Sequence, residues 1–168
     1  HVHNRISGEI AVNVALYGGF AGTETVRDER DPAANVTTLD GTNSGIVVTI
    51  TGLASRDTRI DGFHVLNGRA TGFTSDGAGF AVVGSAPVIA NNVIANNLAD
   101  GVGGGMRLFG HKLTEPVQQA EISGNVLHNN RAVQGGGIAL IGASPEIVGN
   151  RIARNYVSGF GGGIGCWT

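Results

Sequence analysis

Apolar and polar residues alternate in short bursts along this chain, and the bursts recur. The clearest unit is Glu121–Gly137, EISGNVLHNNRAVQGGG. The same order of residues stands at Val88–Gly105 and at Glu146–Gly163, and a blurred copy runs from Arg59 to Gly79. The clear copies give an Ile, an Asn three residues later, an aliphatic residue, a second Asn, a glycine cluster and a new apolar run. The anchors Ile60, Ile89, Ile122 and Ile147 lie 29, 33 and 25 residues apart, and the last glycines Gly79, Gly105, Gly137 and Gly163 lie 26, 32 and 26 apart. A fixed period of this size is the mark of a repeat architecture.

The period excludes helices of useful length. Apolar residues recur at spacings of two or five, not three and four, and segments such as EIVGNRIARN put Gly and Asn where a helix needs good formers. Three short strands separated by turns fit each unit. Coils of that kind bury their inward residues only against neighbouring coils, which predicts a parallel β-solenoid.

The asparagines fit the same picture. Asn92, Asn125 and Asn150 are equivalent by offset, and so are Asn97, Asn130 and Asn155. A turn between two strands of a coil leaves backbone N–H and C=O groups to be satisfied once buried. A stacked Asn side chain supplies two donors and an acceptor, so each set is expected to form a ladder. Phe63 and Gly68 take these places in the blurred copy, so both ladders should begin at the second copy.

The remaining segments are less regular. Ile10–Tyr17 alternates well enough for one strand with Ile10, Val12, Val14 and Leu16 on one side, followed by a turn at Gly18–Gly22. Thr23–Pro32 carries Glu24, Arg27, Asp28, Glu29, Arg30 and Asp31 and reads as an exposed loop; two interleaved arginines and the absence of calcium-loop spacing speak against a cation site. Thr37–Asp40 and Ile46–Thr51 are expected strands, Asp57–Gly62 leads into the first recognisable repeat and Arg69–Gly77 is a protruding loop. Gly110–Ala120 is an insertion placed on the surface by Pro116 and its polar content, where solenoid insertions often line a binding face. Residues 1–168 are expected to form one domain, with an irregular entry coil and charged loop at 1–36 and repeat coils at 37–168.

Composition narrows the function classes. The chain has 29 glycines among 168 residues and only 5% aromatics, as tight turns and thin coils require. Charged residues make up 14% and the formal net charge is −2, which argues against nucleic acid as a partner. No apolar run approaches membrane-spanning length, and no segment reads as a signal peptide. Cys166 is the single cysteine, so no intrachain disulfide forms.

The segment GGGIALIGASPEIVGNRIARN, with DGAGFAVVGSAPVIANN at Asp76–Asn92, resembles the right-handed parallel β-helix repeats of the pectate-lyase-like superfamily. Leu16–Thr25 (LYGGFAGTET) followed by Asn35–Gly41 (NVTTLDG) resembles the entry coils of large secreted or surface-anchored bacterial β-helix proteins. The resemblance implies an all-β, single-stranded right-handed parallel β-helix, here about six coils, and an extracellular or cell-surface location. It is poor for function, since this superfamily spans lyases, hydrolases, epimerases, adhesins and passenger domains.

Candidate chemistry centres on one strand. After the glycine clusters, Met106, Leu108, Ile138 and Leu140 are expected to point inward, which leaves Ala81, Arg107, Ala139 and Gly165 as the outward column. A lyase of the superfamily would show several basic residues and often calcium-binding carboxylates on such a face. Here Arg107 stands there, with His111 and Lys112 just beyond as further catalytic candidates and Glu115 and Glu121 as substrate-binding carboxylates. A snorkelling surface residue is the plainer reading of Arg107. His64 and His128 are outward but in different columns, so register does not pair them. No His or Cys spacing suggests zinc, Cys166 reads as an inward, buried structural thiol, and the glycine runs lack the helix and GK[ST] of a phosphate loop.

The expectation is therefore a non-catalytic scaffold or binding module that contacts carbohydrate, with no cofactor. The alternative is a polyuronate lyase centred on Arg107, which would bring calcium. The apolar run of a new coil breaks off at Thr168, and neither end shows a polar cap. A piece of a longer solenoid, or self-association through open ends, is expected from that pattern.

Overall fold

The structure, a computed structural model, describes residues 9–10, 13–52, 55–72, 76–110 and 119–167. It is an all-β parallel solenoid built from four sheets that run along the stack. The first sheet holds Glu9–Ile10, Val48–Ile50, Phe80–Val83, Met106–Phe109, Ile138–Ile141 and Ile164–Trp167. The second holds Ala15–Tyr17, Arg59–Asp61, Val88–Ala90, Glu121–Ser123 and Glu146–Val148. The third holds Thr37–Asp40, Phe63–Leu66, Val93–Ala95, Val126–His128 and Arg151–Ala153. The fourth holds the two-residue strands Arg69–Ala70, Leu98–Ala99, Arg131–Ala132 and Tyr156–Val157.

Four complete coils, beginning at Arg59, Val88, Glu121 and Glu146, each give one strand to every sheet. Among the described residues there are about four coils, preceded by a partial coil, against the six expected. Ala15–Tyr17, Thr37–Asp40 and Val48–Ile50 supply the partial coil, whose fourth-sheet place is taken by an antiparallel bridge between Gly45 and Arg69. The entry segment lacks the repeat's glycine cluster and so lacks its last corner. Helical backbone among the described residues is limited to 3-10 conformation, at Arg27–Glu29 and at Gly72.

Parallel register stacks like on like. Ile60, Ile89, Ile122 and Ile147 form one interior column. Phe80, Met106, Ile138 and Ile164 form another, and Val65, Ile94, Leu127 and Ile152 a third. These columns make one continuous core. Each fully buried side chain of this kind contributes on the order of 1.5–3 kcal/mol. Beside the fourth sheet Ala70, Ala78, Ala99 and Ala132 pack as a second small cluster, with Ile46 against it.

The corners explain the doubled asparagines. The residue before each first-ladder position has a left-handed backbone, at Gly62, Asn91, Gly124 and Gly149 with φ of 80°, 55°, 64° and 64°. The second corner repeats this at Asn67, Asn96, Asn129 and Arg154, with φ of 56°, 58°, 55° and 54°. Gly and Asn are the residues that adopt this region at least cost. In Asn91-Asn92 or Asn129-Asn130, the first member makes the bend and the second turns its amide into the core.

Several expected elements shift. Ile10–Tyr17 is not one strand: Ile10 pairs with Ile50 in the first sheet and Leu16 with Ile60 in the second, so the chain turns a corner between them. Residues expected to be an irregular entry thus already occupy two sheets. Arg59–Asp61 is the first strand of the blurred copy, and the expected loop from Arg69 opens with a strand of the fourth sheet.

Candidate functional site

Arg107 sits at the middle of the first sheet, paired by register with Ala81 on one side and Ala139 on the other. Met106, Leu108, Ile138 and Leu140 are buried beneath it as the alternation requires. The outward column is nevertheless not an open surface. The first glycine of each cluster, Gly77, Gly103, Gly135 and Gly161, has positive φ and folds its turn back over the column. A Cβ on Gly103 would lie 2.9 Å from Arg107 Cβ, and one on Gly135 would lie 2.8 Å from Ala139 Cβ. Ala81 and Ala139 are therefore buried although they point away from the core.

Arg107 emerges from under this roof with its side chain 20% exposed. Its Nε lies 3.4 Å from Asp76 Oδ2, outside hydrogen-bonding geometry, so this buried nitrogen has no hydrogen-bond partner. Asp76 also accepts the backbone N–H of Val102 at 2.8 Å, which fixes the carboxylate on the same turn. The guanidinium carbon stands 4.9 Å from the centroid of the Phe109 ring, a cation–π stack. An arginine base must surrender a proton, whereas here the guanidinium is held as half of an ion pair and sits over a ring.

A second outward column adjoins it. Val83, Phe109, Ile141 and Trp167 are in register at the ends of the same strands. Phe109 is 37% exposed, and the Trp167 indole folds over Gly165. The result is an apolar stripe with two rings, edged by one guanidinium. The sequence carried a signal for it, since the alternation runs one residue beyond the Met106-Arg107-Leu108 type of triplet.

Of the other candidates, Glu121 is the one the structure describes, and it lies on a different sheet from Arg107. His111, Lys112 and Glu115 lie outside the described residues. Glu121 is on the second sheet, where its Oε2 lies 3.7 Å from Arg56 Nη1 and its Oε1 accepts from Ser123 Oγ at 2.8 Å. It belongs to a clamp in which Arg56 also reaches Glu146 at 3.2 Å and the Gln119 carbonyl at 2.9 Å. Cys166 takes the inward place above Leu140 by register, but it is exposed because its strand is the last of the first sheet; the buried thiol is corrected accordingly.

The asparagines do come together. Asn92, Asn125 and Asn150 form one hydrogen-bonded series, and Asn97, Asn130 and Asn155 the other. Phe63 and Gly68 begin the two series by donating their N–H groups to Asn92 and Asn97. These contacts are internal and serve the frame.

Two further clusters were not anticipated. The charged loop is exposed over most of its length, with Glu24 accepting N–H groups of its own turn. Arg30, however, reaches inward to the buried carboxylate of Asp61, which Arg59 contacts at 3.0 Å and Asn91 at 3.3 Å. Tyr17 is faced by Arg27 and Arg30 at 5.0 and 5.2 Å from its ring centroid. On the third sheet, His64 and His128 share the outer face. Burial lowers the His64 pKa most, and the nearby His128 lowers it further. Among the described residues, no three His, Cys, Asp or Glu side chains converge as metal ligands.

One protein family matches residues 9–166, nearly the whole chain, under the description protein of unknown function (DUF1565). No curated protein and no solved structure matches.

Proposed function

The chain belongs to the DUF1565 family, and within it we propose a non-catalytic role: a rigid β-solenoid module that binds carbohydrate on the outer face of its first sheet. We place it among right-handed coils of the pectate-lyase-like type, in a secreted or surface-exposed bacterial protein. Crossovers between parallel strands are right-handed in nearly all folds.

The observation that carries this reading is the fixed state of Arg107. It is paired with Asp76 and stacked on Phe109, beside the stripe of Val83, Ile141 and Trp167. Sugars present apolar C–H faces and a rim of hydroxyls or carboxylates. A flat aromatic and aliphatic stripe suits the faces, and a guanidinium supplies in-plane donors to the rim. The same fixation is unsuited to proton abstraction, which needs a group free to change its charge.

Titration calorimetry with pectate, alginate and glycosaminoglycan fragments tests the proposal. Binding is expected, weakened at least tenfold by Phe109→Ala and by Arg107→Ala. An absorbance assay for unsaturated uronic products runs beside it, with and without calcium, and no turnover is expected. Turnover that disappears in Arg107→Ala would replace this reading with a polyuronate lyase. Absence of binding to every glycan would remove the carbohydrate.

A further inference from the structure

We infer that the corner between the third and fourth sheets, on the flank of the third and fourth complete coils, binds the sulfate groups of a sulfated polysaccharide through Arg131, Arg151 and Arg154. The arginines of this solenoid are otherwise paired. Arg27 faces Asp28, Arg30 and Arg59 face Asp61, Arg56 faces Glu121 and Glu146, Arg69 faces Asp100, and Arg107 faces Asp76. Arg131, Arg151 and Arg154 are the described arginines left without a carboxylate, and all three are exposed. Their side chains make no hydrogen bond among the described residues.

Register brings the three together. Arg151 stands on the outward column of the third sheet, over Val126. Arg154 forms the corner that follows, where its carbonyl accepts the Asn129 N–H at 3.1 Å. Arg131 opens the fourth-sheet strand one coil below, in register with Tyr156. Neighbouring coils lie about 4.8 Å apart, so guanidinia from two coils reach a common group. His128, half-buried, shares the face in register with Ala153. The described carboxylates along this side belong to earlier coils and are held: Asp40 accepts from Asn67 at 3.1 Å, and Asp100 is the partner of Arg69.

The backbone at Arg154 is an independent sign. In the preceding coils the same corner residue is Asn67, Asn96 and Asn129, left-handed with φ of 56°, 58° and 55°, and Arg154 adopts the same conformation at 54°. Asparagine visits this region readily; arginine has no local hydrogen bond to offset the strain. The chain thus carries an arginine where asparagine would fold at less cost. Local strain of this kind collects at binding sites, where the head group is what is retained.

The number of guanidinia selects the ligand. One guanidinium can saturate a carboxylate through two parallel bonds, whereas a tetrahedral sulfate spreads three oxygens and accepts from several forks at once. A nucleic acid, charged at every phosphate, needs an extended basic path, but this patch covers two coils of a chain whose formal net charge is −2. Sulfate esters are local charges on an otherwise neutral sugar frame. The face is also separate from the Phe109 stripe, which lies on the first sheet.

Calorimetry with dextran sulfate oligosaccharides tests the inference. Binding is expected at low ionic strength and should weaken as salt is added. Arg154→Asn is expected to weaken it by about fivefold or more while raising the melting temperature by about 2 °C. The combined variant Arg131→Gln, Arg151→Gln and Arg154→Asn should abolish binding, and Phe109→Ala should leave it unchanged. No binding of dextran sulfate, or equal binding by the combined variant, overturns the inference. An Arg154→Asn variant that loses both binding and melting temperature would make Arg154 a structural residue and overturn its role. Alginate or a DNA oligonucleotide that binds as tightly as dextran sulfate, with the same loss in Arg154→Asn, would overturn the choice of sulfate.

Discussion

Asn125 holds Asn92 with a single oxygen. Its Oδ1 accepts the backbone N–H of Asn92 at 2.9 Å and the side-chain Nδ2 at 3.1 Å. Asn125 in turn gives its own Nδ2 to the Ile89 carbonyl at 2.8 Å and to Asn150 Oδ1 at 2.9 Å. Both residues are out of contact with water. Asn125→Ala therefore strips a buried N–H and a buried C=O of partners at once. At about 1–3 kcal/mol for each orphaned group, urea denaturation should show a loss on the order of 3–5 kcal/mol. Asn150→Ala, on the half-buried last rung where water reaches, should cost about 1–2 kcal/mol. Equal losses at the two rungs would show that burial does not set the ladder's contribution.

Glycine at the end of each cluster sets how closely coils approach. A Cβ on Gly137 would lie 2.6 Å from the Gly163 carbonyl oxygen, 2.8 Å from Ile152 Cγ2 and 3.1 Å from Asn155 Nδ2. The first of these is backbone, so relief requires parting two coils. A Cβ on Gly163, the same position one coil on, would meet only Ile152 Cγ2 at 3.7 Å. Gly137→Ala is expected to destabilise by about 2 kcal/mol or more, and Gly163→Ala by no more than about 0.5 kcal/mol. Thermal melts of the two variants, side by side, would expose any failure of this contrast.

The solenoid was legible because its constraints are local and repeated: an Ile, an Asn and a glycine cluster recur at fixed offsets, and register then places every inward residue. The fourth sheet was not legible, because strands such as Arg69–Ala70 and Leu98–Ala99 are two residues long and carry no period. The roof over Ala81, Arg107 and Ala139 was hidden for another reason. It depends on the positive φ of Gly77, Gly103 and Gly135, a property of the backbone path rather than of residue type. Arg30 and Asp61 meet across 31 residues, and only the fold brings a loop charge to a buried carboxylate. Glu121 and Arg107 lie close in sequence yet separate onto two sheets, since a coil corner stands between them.

Arg30 is the one loop arginine that faces the core. It donates to the Gly18 carbonyl at 3.0 Å as well as to Asp61, whose side chain is 2% exposed. Removing the cation from a buried pair strands the carboxylate, here left with Arg59 and Asn91. Arg30→Ala should therefore cost about 2–4 kcal/mol in chemical denaturation. It should also make residues 20–32 an early site of limited proteolysis. The paired change Arg30→Met with Asp61→Leu should cost less than Arg30→Ala alone, since it leaves no buried charge behind. A paired variant as unstable as the single one would show that the loop is anchored by shape rather than by charge.

His64 gives the fold a predictable response to acid. Burial disfavours its charged form, and His128 on the same outer face adds like-charge repulsion, so its folded pKa lies below the ordinary 6.5. The unfolded chain then binds the proton more tightly than the folded one. Stability is full above the unfolded pKa near 6.5 and falls as pH drops through that value towards the lower folded pKa. His64→Val matches the valines that share its column, Val93 and Val126, and removes the titration without a new polar group. The melting temperature of the parent chain should fall between about pH 7.5 and about pH 5, and His64→Val should flatten that fall. His128→Gln should flatten it by less, because repulsion is the smaller of the two causes. Parallel curves for the parent and His64→Val would place the acid response elsewhere.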